Sequence, residues 1–310
     1  MRDSYHTETM TKPETPPDCS DPAPPPAAAL TFDIEGICGL AALAGGIGQA
    51  TFYSAALSFL RTLVDAEMGV VLAYSVEQRP RYLAVQADAA RHRGARETAY
   101  LDGPYALDPV YQMFQRGQTD GAYAMASYVP DDFYQSEFYR CFFHNTHLID
   151  TIDILWRIDE RHSIAFCLGR EEGSPPFSAA ELPRVRLALP LLFAAMRRHH
   201  QLAAPQPPSE TDRLVHRQVQ STMDNFGASL LTKREREVVF YMLSGYSSAQ
   251  TAARLHTAEG TIRNQRKSIH HKLETSSQAE LFSLFIQCIP FAEPDTDIDP
   301  LARYQAPAQR

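Results

Sequence analysis

Apolar residues along the chain change period, and each period predicts a different element. From Phe52 to Ala66 they recur at spacings of three and four, which predicts a helix with one buried face. Gly69 to Tyr74 and Tyr82 to Val85 are short apolar runs of strand length, and Ala122 to Ala126 reads as a third strand. Asp108-Pro109 starts a helix reaching Arg116, and Asp131 to His144 reads as one or two aromatic-rich helices. Leu148 to Ile158 alternates and Ile164 to Leu168 is continuously apolar, so both are strands, with Asp159-Glu160-Arg161-His162 as the hairpin turn between them. Ser178-Ala179-Ala180-Glu181 then caps a long helix to His200. A helix, two strands, a helical middle, further strands and a last helix predict an α+β domain, an antiparallel sheet with flanking helices.

The densest punctuation lies between Leu231 and Phe285. Thr232-Lys233-Arg234-Glu235 is a capping box that starts a helix at Lys233. Val238, Val239, Met242 and Leu243 give that helix one buried face, and Gly245 supplies the left-handed residue that ends it. Ser247-Ser248-Ala249-Gln250 opens a second helix running to Leu255. His256-Thr257-Ala258 is long enough only for a turn, with Thr257 placed to cap a third helix from about Glu259 to Leu273. Ile262, Ile269 and Leu273 share its inward face, leaving Arg263, Asn264, Arg266, Lys267 and His270 on the other side. Ser277-Gln278-Ala279-Glu280 opens a fourth helix whose Leu281, Leu284 and Phe285 close a small core. Two short helices meeting at a tight turn make a helix-turn-helix inside an all-α four-helix domain.

Charge sharpens this picture. Residues 228–286 carry eight Lys/Arg against five Asp/Glu, a net of +3 in a chain whose formal net charge is −8. An acidic protein that keeps one basic helix face has the means to neutralise phosphates and to read base edges in the major groove.

These residues carry a family resemblance. Leu-Thr-Lys-Arg-Glu-Arg-Glu-Val-Val from Leu231, the Gly245-Tyr246-Ser247 step, and Gly260-Thr261-Ile262-Arg263-Asn264 running to Lys272-Leu273 resemble the LuxR-type helix-turn-helix of bacterial transcription regulators. The resemblance covers roughly a fifth of the chain. It implies that the third helix enters the major groove, with Arg263, Asn264 and Lys267 facing bases. Thr261, Gln265, Arg266, Lys272 and Ser247 would then hold phosphates. The sequence departs from the family pattern at four positions: Gln265 stands where histidine is usual, Glu274 where glycine is, Thr251 where isoleucine is, and Gln250 where glutamate is.

Elsewhere composition sets the limits. Residues 1–35 form a Pro/Ala-rich segment expected to be disordered, and residues 290–310 an acidic, proline-rich tail with the same expectation. Neither a signal peptide nor a stretch of transmembrane length is present, which predicts a cytoplasmic protein with no membrane partner. The five cysteines, Cys19, Cys38, Cys141, Cys167 and Cys288, form no C-x-x-C pair and predict reduced thiols. Between the boundary segments lie a GAF/PAS-like sensor domain at 45–203, a linker and connecting helix at 204–227, and the helix-turn-helix domain at 228–289. Val215, Val219, Thr222 and Phe226 make an apolar stripe on the connecting helix; it fits a second protomer or the chain's own sensor domain, and the sequence does not choose.

The 100–200 region, with Asp108-Pro109-Val110-Tyr111 and Ser136-Glu137-Phe138-Tyr139-Arg140, is also similar to N-terminal regions of LuxR-type regulators whose effectors are undefined. It lacks the tryptophan, tyrosine and aspartate set of the acyl-homoserine lactone domain and the paired acids of a phosphoacceptor receiver. Phe138, Tyr139, Phe142 and Trp156 are candidates to line a ligand pocket, against the plainer reading that they are core packing. His144 and His147 lack a third ligand nearby, and no nucleophile elbow or phosphate loop occurs, so neither metal, cofactor nor enzymatic activity is expected. The partners expected are promoter DNA, a second copy of the chain as a homodimer, a small-molecule effector, and RNA polymerase. A sensor that binds a protein instead of a small molecule is the alternative.

Overall fold

The computed structural model describes residues 32–87, 99–118, 120–144, 147–203 and 209–306. Residues 1–31 of the N-terminal segment, Cys19, and residues 204–208 of the proline-rich break lie outside them. Helix α1 (Ile34–Gly45) already begins inside the segment expected to be disordered, because Asp33 caps it by accepting the Gly36 N–H at 2.8 Å. Helix α2 (Phe52–Leu63) buries Phe52, Ala56, Leu57, Phe59 and Leu60 completely. Burial of each of its larger side chains stabilises the fold by about 1.5–3 kcal/mol.

Five strands follow: β1 (Met68–Ser75), β2 (Arg81–Gln86), β3 (Gly121–Ala124), β4 (Leu148–Arg157) and β5 (His162–Glu171). They form one antiparallel sheet in the order β2-β1-β5-β4-β3. The central pair, β1 with β5, joins segments some ninety residues apart, in a register that sets Val71 opposite Phe166 and Leu72 opposite Ala165. Alternation splits the sheet into two faces. Val71, Ile152, Ile154, Trp156, Ile164, Phe166 and Leu168 share one face with α2 and the long helix α4 (Glu181–Leu202). Gly69 lets α2 approach on that side, since a Cβ there would meet Leu57 Cδ2 at 2.9 Å. Met68, Val70, Leu72, Tyr74, Asp153, Ala165 and Cys167 point to the other face, under helix α3 (Pro109–Gln115) and the 3₁₀ turn Pro104–Leu107. The expected α+β arrangement is therefore the one the chain adopts.

The middle segment differs from its expectation. Asp131 to His144 forms a 3₁₀ turn at Phe133–Gln135 and a π turn at Tyr139–Phe143 in place of regular helix. Phe133 and Phe138 are both buried, at a spacing of five that one α-helical face does not accommodate.

Beyond the sheet, α5 (Glu210–Asn225) leads into α6 (Lys233–Leu243), α7 (Ser248–Arg254), α8 (Glu259–Lys272) and α9 (Gln278–Cys288). Val219, Thr222 and Phe226 of the connecting stripe are buried within this same chain. His216 of α5 is hydrogen-bonded to Tyr105 Oη at 2.9 Å, and Asp212 accepts from Arg79 Nε at 2.5 Å. Residues 290–306 of the C-terminal tail are folded, contrary to the compositional expectation. Asp299 accepts the N–H groups of Gly227 (2.9 Å), Ser229 (2.9 Å) and Leu301 (2.9 Å) and the Ser229 hydroxyl (2.6 Å), and α10 (Pro300–Gln305) buries Leu301 completely. An acidic composition conceals the fact that Asp299-Pro300 is a cap followed by a first-turn proline.

Candidate DNA interface and sheet cavity

The helix-turn-helix rests on caps that are formed. Thr232 and Glu235 bond reciprocally as a capping box, Ser247 Oγ accepts the Gln250 N–H at 3.1 Å, and Ser277 Oγ accepts the Glu280 N–H at 3.2 Å. Gly245 ends α6 at φ 80°. Thr257 does not cap α8; Ala258 holds the cap position without a side-chain bond. Val238, Met242, Ile262, Ile269, Leu273, Leu281 and Phe285 make the core. Thr251 is buried among them and returns its hydroxyl to the Ser247 carbonyl at 2.8 Å, the local bond that satisfies a hydroxyl where an aliphatic side chain needs none.

This core aims α8 outward. Thr261, Arg263, Asn264 and Lys267 are exposed, and Arg263 folds back on Glu259 of its own helix at 2.6 Å. His271 continues the exposed row, whereas His270, expected on the outer face, turns inward to Thr275 Oγ1 at 2.8 Å. Gln265 and Arg266 are half-buried; Gln265 Oε1 has no bonding partner among the described residues, and Arg266 Nη1 lies 3.4 Å from the Tyr246 carbonyl. Burial pulls the Arg266 pKa down, and Asp132 of the sheet domain works against that. Lys272 is engaged in an ion pair with Glu235 at 2.7 Å. Burial alone would raise the Glu235 carboxyl, but Lys272, Thr232 and Ser268 override it and hold the pKa at about 2.

The second feature is a cavity of 140 Å³ between the sheet and α3. Its floor is Met68, Val70, Leu72 and Tyr74 of β1 with Ala165 and Cys167 of β5; its walls include Tyr82, Tyr100, Val110, Phe138, Phe142 and Phe143. Of the four residues proposed from sequence, Phe138 and Phe142 line it. Tyr139 packs instead against Tyr134 (5.1 Å between centroids) and Phe143 (5.7 Å). Trp156 is on the opposite sheet face, edge-on to His200 of α4, because it is out of phase with Asp153 in the alternation of β4.

Two carboxyl groups reach this cavity, and sequence reasoning passed over both. Asp108 caps α3 through the Val110 N–H at 2.8 Å and accepts the Tyr100 hydroxyl at 2.7 Å; burial raises its pKa. Asp153 accepts from Thr151 at 2.6 Å and from the Tyr128 hydroxyl, yet burial still pushes it up to about 7. The signal was an acid between isoleucines, Ile152-Asp153-Ile154, in the middle of a strand. Among the described residues no Lys or Arg lines the cavity, and no group of three or more His, Cys, Asp or Glu is arranged to hold a metal. Cys38, Cys167 and Cys288 are free thiols; burial beside Asp153 raises Cys167 well above its ordinary pKa. No helix among the described residues is long and apolar enough to cross a membrane.

Comparison with known proteins places these features. Residues 229–285 match the family model "Bacterial regulatory proteins, luxR family". The "Putative HTH-type transcriptional regulator in exeN 3'region" of Aeromonas salmonicida is 28% identical over 186 residues, 58% of this chain and 93% of that protein. Among solved structures, the VqsR LBD domain from Pseudomonas aeruginosa is similar at a TM-score of 0.47 and 21% identity, over 54% of this chain and 96% of that one. SdiA of Escherichia coli is similar at a TM-score of 0.39 and 12% identity, over 78% and 91%. The C-terminal domain of this chain is a helix-turn-helix of the luxR family of bacterial regulatory proteins.

Proposed function

We propose that the chain is a cytoplasmic transcription regulator that binds promoter DNA as a dimer through α8 and senses a small molecule in its GAF/PAS-like sheet domain. The observation that carries DNA binding is the exposed row of Arg263, Asn264 and Lys267 on the third helix of a luxR-family domain. Arginine, asparagine and lysine supply the donors that guanine and adenine accept in the major groove. Thr261, Gln265 and Arg266 flank that row and fit phosphate contacts, with Ser247 at the start of α7; Lys272 joins them only by sharing its charge with Glu235. Two half-sites about one DNA turn apart follow from a dimeric reader.

The cavity favours a small molecule over a protein as the effector. An apolar, aromatic-walled space of 140 Å³ is close to the roughly 150 Å³ that accommodates a single aromatic ring in a protein interior. A sheet face filled by side chains would have supported protein sensing instead.

A gel shift of the purified protein on its own upstream DNA, at two salt concentrations, tests the first half of this reading. Specific, salt-sensitive binding is expected, and Arg263→Ala/Lys267→Ala should abolish the specificity. Lys267→Ala alone should lower discrimination between sites by about 1–3 kcal/mol. If it lowers affinity for every sequence equally, Lys267 is a phosphate contact and its assignment to bases is wrong.

A further inference from the structure

The helix-turn-helix is not free in this structure: it is fastened to the sheet domain at a point where DNA would bind. The turn before Phe133 carries the fastening. Asp132 N–H donates to the Gly245 carbonyl at 3.1 Å, and Asp131 N–H donates to Gln250 Oε1 at 3.0 Å. Ser247 Oγ donates to Asp131 Oδ2 at 3.3 Å. On α3, Gln112 Nε2 donates to Ser244 Oγ at 3.1 Å in a buried bond, and Arg116 Nη2 to Tyr246 Oη at 3.3 Å. The two backbones touch, since a Cβ on Gly245 would lie 3.0 Å from Phe133 Cα.

The charges at this contact have a consequence for DNA. Asp131 bonds to Ser247, and Asp132 is the acid whose field reaches Arg266. Those are two of the side chains assigned above to phosphates. A duplex laid along α8 would bring backbone phosphate to the place that the Asp131 carboxylate occupies, where both steric overlap and like charge oppose it. Arg263, Asn264, Lys267 and Thr261 stay exposed, so the sheet domain engages Ser247 and Arg266 of the phosphate set and leaves the base-reading row open.

We propose that the Asp131-Asp132 turn is an internal stand-in for a DNA phosphate, which holds the chain in a closed form that must open before DNA is gripped. This rests on the assignment of the helix-turn-helix to DNA. The contact lies a few residues before Phe138 and Phe142, which wall the cavity, so the closed form and the cavity share one segment of chain.

The test uses the full chain and a labelled duplex of arbitrary sequence at low salt, followed by fluorescence anisotropy. Asp131→Ala/Asp132→Ala should bind about tenfold more tightly than wild type, as expected if the open form is roughly a tenth of the population. Asp65→Ala/Glu210→Ala removes the same charge from side chains that are 93% and 85% exposed and are ion-paired with Arg170 and Arg213; it should bind as wild type does. Equal tightening in both double variants would reduce the effect to net charge and overturn the proposal. Equal binding by wild type and Asp131→Ala/Asp132→Ala would also overturn it while leaving DNA binding intact, whereas binding by none of the proteins would overturn both. Hydrogen exchange supplies a second readout: the Asp131 and Asp132 amides of the wild type should exchange faster when the duplex is added, and unchanged exchange in a complex that does form would contradict opening.

Discussion

Glu235 in the helical domain and Asp153 in the sheet domain are both buried carboxyl groups, and they are driven in opposite directions. Glu235 gains Lys272, Ser268 and the Thr232 cap, and its pKa falls from 4.5 to about 2. Asp153 receives hydroxyl donors but, among the described residues, no cation, and burial lifts it from 3.8 to about 7. One domain pairs its buried charge and turns Arg263 and Lys267 outward. The other takes carboxyl groups inward to line a cavity, an arrangement that costs stability and is the usual mark of a binding site.

The depressed Glu235 contributes stability that is present above about pH 4.5 and is lost as pH falls through 2. The raised Asp153 contributes stability that is present below pH 3.8 and is lost as pH rises through 7. The largest expected effect that would break this contrast is Glu235→Ala, which leaves Lys272 without its partner and opens the first cap. About 3 kcal/mol should be lost at pH 7 in urea unfolding, the low end for a broken buried pair because Lys272 is partly exposed. A loss under 1 kcal/mol would mean that solvent replaces Glu235 without cost.

Next comes Asp153→Asn, whose gain in stability should be roughly 2 kcal/mol larger at pH 8 than at pH 5 and should vanish only below about pH 4. Matched urea curves at the two pH values decide this, and an equal change at both would show that Asp153 is not the group titrating near neutrality. The smallest expected effect is at the end of α8. Glu274 sits at φ 53°, in the left-handed region, where the family resemblance expects glycine. Glu274→Gly should gain about 1 kcal/mol by relieving that strain. A thermal midpoint that falls instead would assign Glu274 a contact that outweighs its backbone.

These two regions also differ in how much of them is legible in the sequence. In the helical domain the signals are local. Thr232 with Glu235, Ser247 with Gln250 and Ser277 with Glu280 each meet three residues apart, so the helices from Lys233, Ser248 and Gln278 start where the caps predict. Reading fails there only where a side chain has two options: Thr257 sits one residue before the true cap, and His270 has Thr275 within reach. In the sheet domain the strands are legible one by one from their period, but the cavity is not. It exists because β1 pairs with β5 across the intervening chain, which sets Tyr74, Ala165 and Cys167 over Phe138 and Asp108. Aromatic density pointed to Phe138 and Phe142, and the phase of β4 removed Trp156. That phase depends on which face meets α4, a tertiary fact.

The staple made by Asp299 redraws the border of the DNA-binding unit. Family similarity stops at Phe285, yet Cys288, Ile289 and Leu301 are buried and the amides of Gly227 and Ser229 depend on an acceptor 72 and 70 positions downstream. A recombinant fragment trimmed to the matched segment would therefore lose the clasp that closes its own beginning. For anyone excising this module or fusing it to another protein, the natural cut follows Gln305, and the last stretch of apparent tail is part of the cargo.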